Sequence, residues 1–139
     1  MNVSVLDIGS NTAKVLIAKR NSSGEIIRVS EKSFSCRLGV GLSSKFPVIT
    51  PIMIEETLKV LGQLFSFSHG FSPVKTCVVA TEALRRLSNA NKLIERVKES
   101  FDVTIKILSG KEEALYVAKG LMTDSNISSI DEFCAIDLG

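Results

Sequence analysis

The chain has no run of 18 apolar residues, so it offers no candidate membrane-spanning helix. Its first residues lack the basic segment, apolar segment and small-residue cleavage site of a secretory leader. An excess of one charge is missing as well. Seventeen Lys and Arg face 15 Asp and Glu, a formal charge of +2. That balance argues against a general nucleic-acid binder but permits a local basic patch for an anionic substrate. Cysteine is scarce and odd in number. Cys36, Cys77 and Cys134 are far apart and lack metal-ligand spacing, as expected of reduced core thiols in a cytoplasmic protein. The single histidine, His69, falls in Ser68-His69-Gly70, which reads as a loop with a solvated side chain.

What is present suits one globular domain. The 139 residues are 45% hydrophobic, and a domain near this size buries roughly 68–70% of the surface its unfolded chain exposes. Residues 3–8 are mostly apolar and read as a strand buried on both faces. Residues 14–19 and 25–35 read as two more strands, joined through the turn Asn21-Ser22-Ser23-Gly24, which makes an antiparallel meander. Thr50-Pro51 is a helix start, and Ile54, Leu58, Leu61 and Phe65 follow at helical spacing, so a helix is expected over 51–67. Residues 75–80 form a fourth strand; Thr81 and Asn89 can cap the two helices that follow, the second carrying Leu93, Val97 and Phe101 on one face. A fifth strand is expected at 103–108, a helix at 109–121, a polar connection at 122–129 and a sixth strand at 133–137. Three antiparallel strands followed by right-handed βα crossovers describe a ribonuclease H-like α/β domain, a mixed sheet with helices on both faces.

Four short segments carry the chemistry. In Asp7-Ile8-Gly9-Ser10-Asn11-Thr12 a buried strand ends in a carboxylate, and Gly9 lets the backbone turn sharply and a ligand approach closely. Backbone N–H groups and the side chains of Ser10, Asn11 and Thr12 can face an anion, and Asp7 beside a phosphate would need a cation, most simply Mg²⁺. An ordinary hairpin turn would look the same. The device recurs at the other end, where Ala135-Ile136-Asp137-Leu138-Gly139 again runs an apolar strand into Asp and Gly. In Ser109-Gly110-Lys111-Glu112-Glu113-Ala114, Ser109 and Glu112 fit a capping box, which leaves Glu113 free. At 100° per residue Ala114, Val117, Ala118 and Leu121 form the apolar face and Glu113 lies at its edge. There it is either a general base for water or a glutamate favoured by the helix dipole. Thr81-Glu82-Ala83-Leu84-Arg85-Arg86 follows the fourth strand at a C-terminal sheet edge, where open α/β sheets bind ligands; at least one of its arginines should face solvent.

Together DIGSNT at 7–12, RLGVGL at 37–42, ATEALR at 80–85, SGKEEA at 109–114 and AIDLG at 135–139 resemble the exopolyphosphatase / guanosine pentaphosphate phosphatase (Ppx/GppA) family. That family belongs to the actin-like ATPase and sugar kinase superfamily. The resemblance implies a first phosphate loop at 7–12, with Gly9, Ser10, Asn11 and Thr12 on phosphate and Asp7 on the metal. It implies a second loop starting at Asp137 and Gly139, Arg85 near the phosphate chain, and Glu113 as the residue that orients or deprotonates the attacking water. Residues 1–125 would be the first domain, and 126–139 a connection and the first strand of a second domain whose remaining loop residues are absent. The implied activity is phosphate release from polyphosphate or guanosine pentaphosphate with Mg²⁺, and little of it in this chain alone, because one wall of the cleft is missing. The last strand could pair with another copy to give a homodimer. Neither nucleic acid nor a membrane is expected as a partner. A phosphate- or nucleotide-sensing module and an ATP-dependent kinase of the same superfamily are the alternatives.

Overall fold

The structure, a computed structural model, describes residues 1–40, 42 and 44–123. Along the chain run β1 (Asn2–Ile8), β2 (Thr12–Arg20), β3 (Ile26–Ser35), α1 (Pro51–His69), β4 (Lys75–Ala80), α2 (Glu82–Arg86), α3 (Ala90–Phe101), β5 (Ile105–Ile107) and α4 (Gly110–Leu121). The strands make one sheet in the order β3-β2-β1-β4-β5. β1, β2 and β3 are antiparallel neighbours, and β1, β4 and β5 are parallel ones. This is the expected mixed five-stranded sheet. The sixth strand at 133–137, with Asp137 and Gly139, lies outside the described residues, as does the domain boundary near 125.

Strand alternation divides β1 between two environments. Ser4, Leu6 and Ile8 are buried, and Val3, Val5 and Asp7 point to the opposite, exposed face, which corrects the expectation of a strand buried on both faces. The buried face is covered by α1. This helix starts at Thr50, whose side chain accepts from the Met53 N–H, with Pro51 in the first turn, where its missing N–H costs nothing. Ile54, Leu58, Leu61, Leu64 and Phe65 recur every three or four residues and are buried, each such side chain contributing about 1.5–3 kcal/mol. α3 lies beside α1, with the rings of Phe65 and Phe101 centred 4.7 Å apart. α4 flanks the other face at β5, where Lys106 Nζ sits 5.8 Å from the centre of the Tyr116 ring.

Several local expectations are corrected. α1 runs to His69 because Leu64 and Ser68 extend its buried stripe, so His69 is the last helical residue and is not in a loop. β5 holds three ladder residues rather than six: it pairs only with the last half of β4, and Asp102, in the left-handed region at φ 53°, ends α3 just before it. Neither Thr81 nor Asn89 caps its helix through the side chain. Asn89 spends its amide on the preceding loop instead, accepting from Ile49 N–H at 2.8 Å and donating to Ile49 C=O at 2.9 Å. The apolar face assigned to α4 is not buried: no residue of that helix is, and Leu115, Tyr116 and Val117 are exposed. No helix among the described residues is long and apolar enough to cross a membrane.

One polar pair sits inside the sheet–helix interface. The hydroxyls of Ser68 on α1 and Ser4 on β1 are both fully buried and lie 2.8 Å apart. Ser68→Ala is expected to cost about 1–3 kcal/mol, because the Ser4 hydroxyl then stays buried without a partner. The double variant Ser4→Ala, Ser68→Ala should recover part of that loss. A urea-melt double-mutant cycle with strictly additive single effects would contradict the pairing.

Candidate functional site

Because β1, β4 and β5 are parallel, their C-terminal ends share one edge of the sheet, the edge at which open α/β sheets hold ligands. Three chain segments meet there. β1 carries Asp7 one residue before its end and runs into the Gly9–Thr12 turn, β4 runs into α2 with Arg85, and β5 runs into α4 with Glu113.

The turn is held by hydrogen bonds to its own ends and to the segment after β3. Gly9 N–H donates to Thr12 C=O at 3.0 Å, closing the loop between β1 and β2. The carbonyls point away from the edge into the segment after β3: Asn11 C=O accepts from the N–H groups of Cys36 (2.9 Å) and Arg37 (3.3 Å), and Ser10 C=O accepts from Gly39. No backbone carbonyl among the described residues takes the N–H of Ser10 or Asn11. Two glycines make room for this fold. A Cβ on Gly9 would stand 3.1 Å from Thr12 C=O, and a Cβ on Gly39 would stand 3.2 Å from Ser10 Cβ and 3.3 Å from Asn11 Oδ1. Cys36 is buried beneath the turn, its thiol 3.4 Å from Gly9 C=O, and burial pushes that thiol's pKa up.

Asp7 leaves β1 on the exposed face, opposite Lys14 of β2. Its side chain reaches solvent, yet the surrounding protein removes enough water to raise its carboxyl pKa above the ordinary 3.8. Repulsion from Glu113 raises it further, and Lys14 opposes both. The two carboxylates are therefore close enough to act on each other. A raised folded-state pKa means that the charged carboxylate costs stability: the fold is favoured below the ordinary value, and this is lost as pH rises through the raised one. Asp7→Asn is thus expected to melt about 2 °C above the parent at pH 7, a small gain because solvent reaches the group. The difference should vanish below about pH 3.8. A variant that melts lower at pH 7 would contradict this.

Glu113 lies in the first turn of α4. It pairs with Arg85, Nη1 to Oε2 at 2.9 Å, and the two side chains are 29% and 30% exposed. Arg85 also donates to Leu108 C=O, at the end of β5. One arginine thus ties α2 to the start of α4. Arg86, next in sequence, is not free either: it donates to Leu42 C=O at 2.8 Å and lies 3.5 Å from Glu82. As expected, at least one of these arginines faces solvent: the Arg86 side chain is 47% exposed although it also reaches a carbonyl beyond its own helix. α4 begins with the complete capping box of Ser109 and Glu112. Lys106 Nζ reaches Glu112 Oε1 at 2.8 Å, and together with the Ser109 hydrogen bonds it draws the Glu112 carboxyl down to about 2. Lys106, Gly39 and Cys36 were not singled out as site residues from the sequence. The glycine pattern at 39 and 41 was the one available signal.

An edge of this kind, on this sheet order, defines an α/β domain of the actin-like ATPase class. The chain belongs to the Ppx/GppA phosphatase family, whose model matches residues 16–139. That match begins after the Asp7–Thr12 turn. Among solved structures, the Aquifex aeolicus Ppx/GppA family member is 27% identical at a TM-score of 0.82, over 91% of this chain and 40% of its own. An exopolyphosphatase from Cytophaga hutchinsonii is 23% identical at a TM-score of 0.81, over 90% of this chain and 39% of its own, and shows the same fold. T. thermophilus RuvC, at 12% identity and a TM-score of 0.50, shares the fold alone. The chain spans about 40% of the length of the family structure it matches.

Proposed function

We propose that this chain supplies the first phosphate-binding wall of a phosphoanhydride hydrolase that releases phosphate from inorganic polyphosphate or guanosine pentaphosphate. The observation that carries the reading is the meeting of Asp7, Glu113 and Arg85 at one sheet edge, beside a turn whose carbonyls are turned away. Free N–H groups at Ser10 and Asn11 suit phosphate oxygens. Arg85, with its planar fork, suits the same oxygens and would exchange its pairing with Glu113 for them. Glu113, so released, can accept a proton from a water placed against the terminal phosphorus.

The donor chemistry fits Mg²⁺. Asp7 offers carboxylate oxygens, and no cluster of three or more His, Cys, Asp or Glu that could hold a metal is found among the described residues. Mg²⁺ is commonly held by one or two carboxylates with water and substrate phosphates, with no protein cage. Asp7 would hold the ion, and Asp137 is the second carboxylate the sequence offers. When bound, the ion would neutralise phosphate charge. The family structures are more than twice this length, and catalysis of this kind needs charge stabilisation from both sides of the phosphate. The 139 residues alone are expected to bind phosphate chains without turning them over. The test is phosphate release from each substrate with Mg²⁺, in this chain and in the full-length gene product. Activity in the longer protein alone supports the reading, and its absence there with both substrates overturns it.

A further inference from the structure

Ile8 and Ala80 are the last paired residues of β1 and β4. Past them the sheet no longer fixes the distance between the Gly9–Thr12 turn and α2, and no backbone hydrogen bond among the described residues joins the two directly. The connection runs through the segment after β3. Ser10 C=O accepts from Gly39 N–H, Gly39 C=O accepts from Leu42 N–H at 3.2 Å, and Leu42 C=O accepts from Arg86 Nη2 at 2.8 Å. Three hydrogen bonds thus lead from the turn to the residue beside Arg85.

Each end of this path is anchored. Leu38 and Leu42 are buried in the main core cluster, and so are Ala83 and Leu84 of α2. Glu82, one helical turn before Arg86, lies 3.5 Å from its Nη1 and helps to orient the guanidinium. The residues that follow α2 extend the clamp. Ser88 donates to Pro47 C=O through its N–H at 3.0 Å and its hydroxyl at 3.1 Å, and the Asn89 amide brackets Ile49. An arginine suits the junction because its rigid fork of donors serves a carbonyl and a carboxylate at once.

We propose that Arg86 is a positioning residue for the phosphatase reaction: through Leu42 and Gly39 it sets the spacing between the Gly9–Thr12 turn and Arg85, and it touches neither substrate nor metal. The inference rests on the phosphatase reading. A phosphate gripped from two elements needs both at their working separation, and a misplacement of about 1 Å can cost about 10²-fold in rate. With Leu42 C=O released, the turn keeps its own closure from Gly9 to Thr12 and therefore persists. What it loses is a fixed distance from α2.

The test is steady-state phosphate release from polyphosphate and from guanosine pentaphosphate by the full-length gene product with Mg²⁺, at a temperature where circular dichroism shows every variant folded. Arg86→Leu should lower kcat by about 10–100-fold and leave KM within about twofold. Arg86→Lys keeps the charge and one donor for Leu42 C=O, and it should recover most of the rate. Glu82→Gln weakens only the ion pair and should stay within about twofold of the parent. A parental kcat in folded Arg86→Leu would overturn the proposal and leave the phosphatase reading standing. A raised KM at parental kcat would overturn it as well, since that marks a cation that only attracts the anion. No phosphate release by the parent from either substrate would overturn the phosphatase reading and this role together.

Discussion

Glu113→Gln in the full-length gene product is expected to lower the maximal rate of phosphate release by about 10²–10⁴-fold, the usual worth of a general base. The Michaelis constant should change little. Gln keeps the size of the side chain and can still accept from Arg85, so the start of α4 survives. What it loses is the ability to take a proton. The split between rate and affinity decides between two roles for the residue. If Glu113 served only to park Arg85 (the 2.9 Å ion pair allows this), the neutral Gln would hold the arginine less firmly and release it more readily to phosphate. Affinity would then rise and the rate would hold. Steady-state kinetics on polyphosphate at saturating Mg²⁺ distinguish the two, and a variant with parental rate contradicts the base assignment. Arg85→Lys complements the test: it keeps the charge but loses the fork that reaches Leu108 C=O and Glu113 together.

Leu64→Ala should have the largest effect on the fold. Leu64 is fully buried on α1, within the one cluster that joins helix, sheet and α3. Truncation there loses the transfer energy of the removed atoms and leaves a cavity, together about 2–5 kcal/mol. A domain of this size holds only about 5–15 kcal/mol in all, so the melting temperature should fall by about 10 °C or more. Leu115→Ala on α4, where the side chain is 51% exposed, should move it by less than about 2 °C. Thermal melts of the two variants side by side check this. Similar shifts for both would mean that α4 is packed as tightly as α1.

The sheet was legible because its signals are local. The apolar run of β1, the Asn21–Gly24 turn and the Thr50-Pro51 start each act within a few residues, and each produced the expected element, although β1 is buried on one face and not on both. The helix-cap expectations at Thr81 and Asn89 failed for a tertiary reason: the Asn89 amide meets Ile49, forty residues earlier, and no sequence window holds both. The α4 face failed differently. Its periodicity is real, but a period tells which residues share a side and not whether anything covers that side. The same limit applies at the site. Strand order and motif position brought Asp7, Arg85 and Glu113 to one edge on paper. That Arg85 joins Glu113 to the end of β5, that Arg86 reaches back to Leu42, and that Gly39 seats the Gly9–Thr12 turn are contacts between distant segments, visible only once the chain is folded.

The central claim is that the Gly9–Thr12 turn and Arg85 receive phosphate. Backbone and arginine side-chain amide shifts, followed by NMR while Mg²⁺-tripolyphosphate is titrated into the 139-residue chain, test it most directly. The account predicts saturable shifts at Ser10, Asn11 and the Arg85 side chain, lost in Gly39→Ala, whose new Cβ would crowd the turn. Saturable binding that leaves those groups unmoved, or no binding at all, would contradict it.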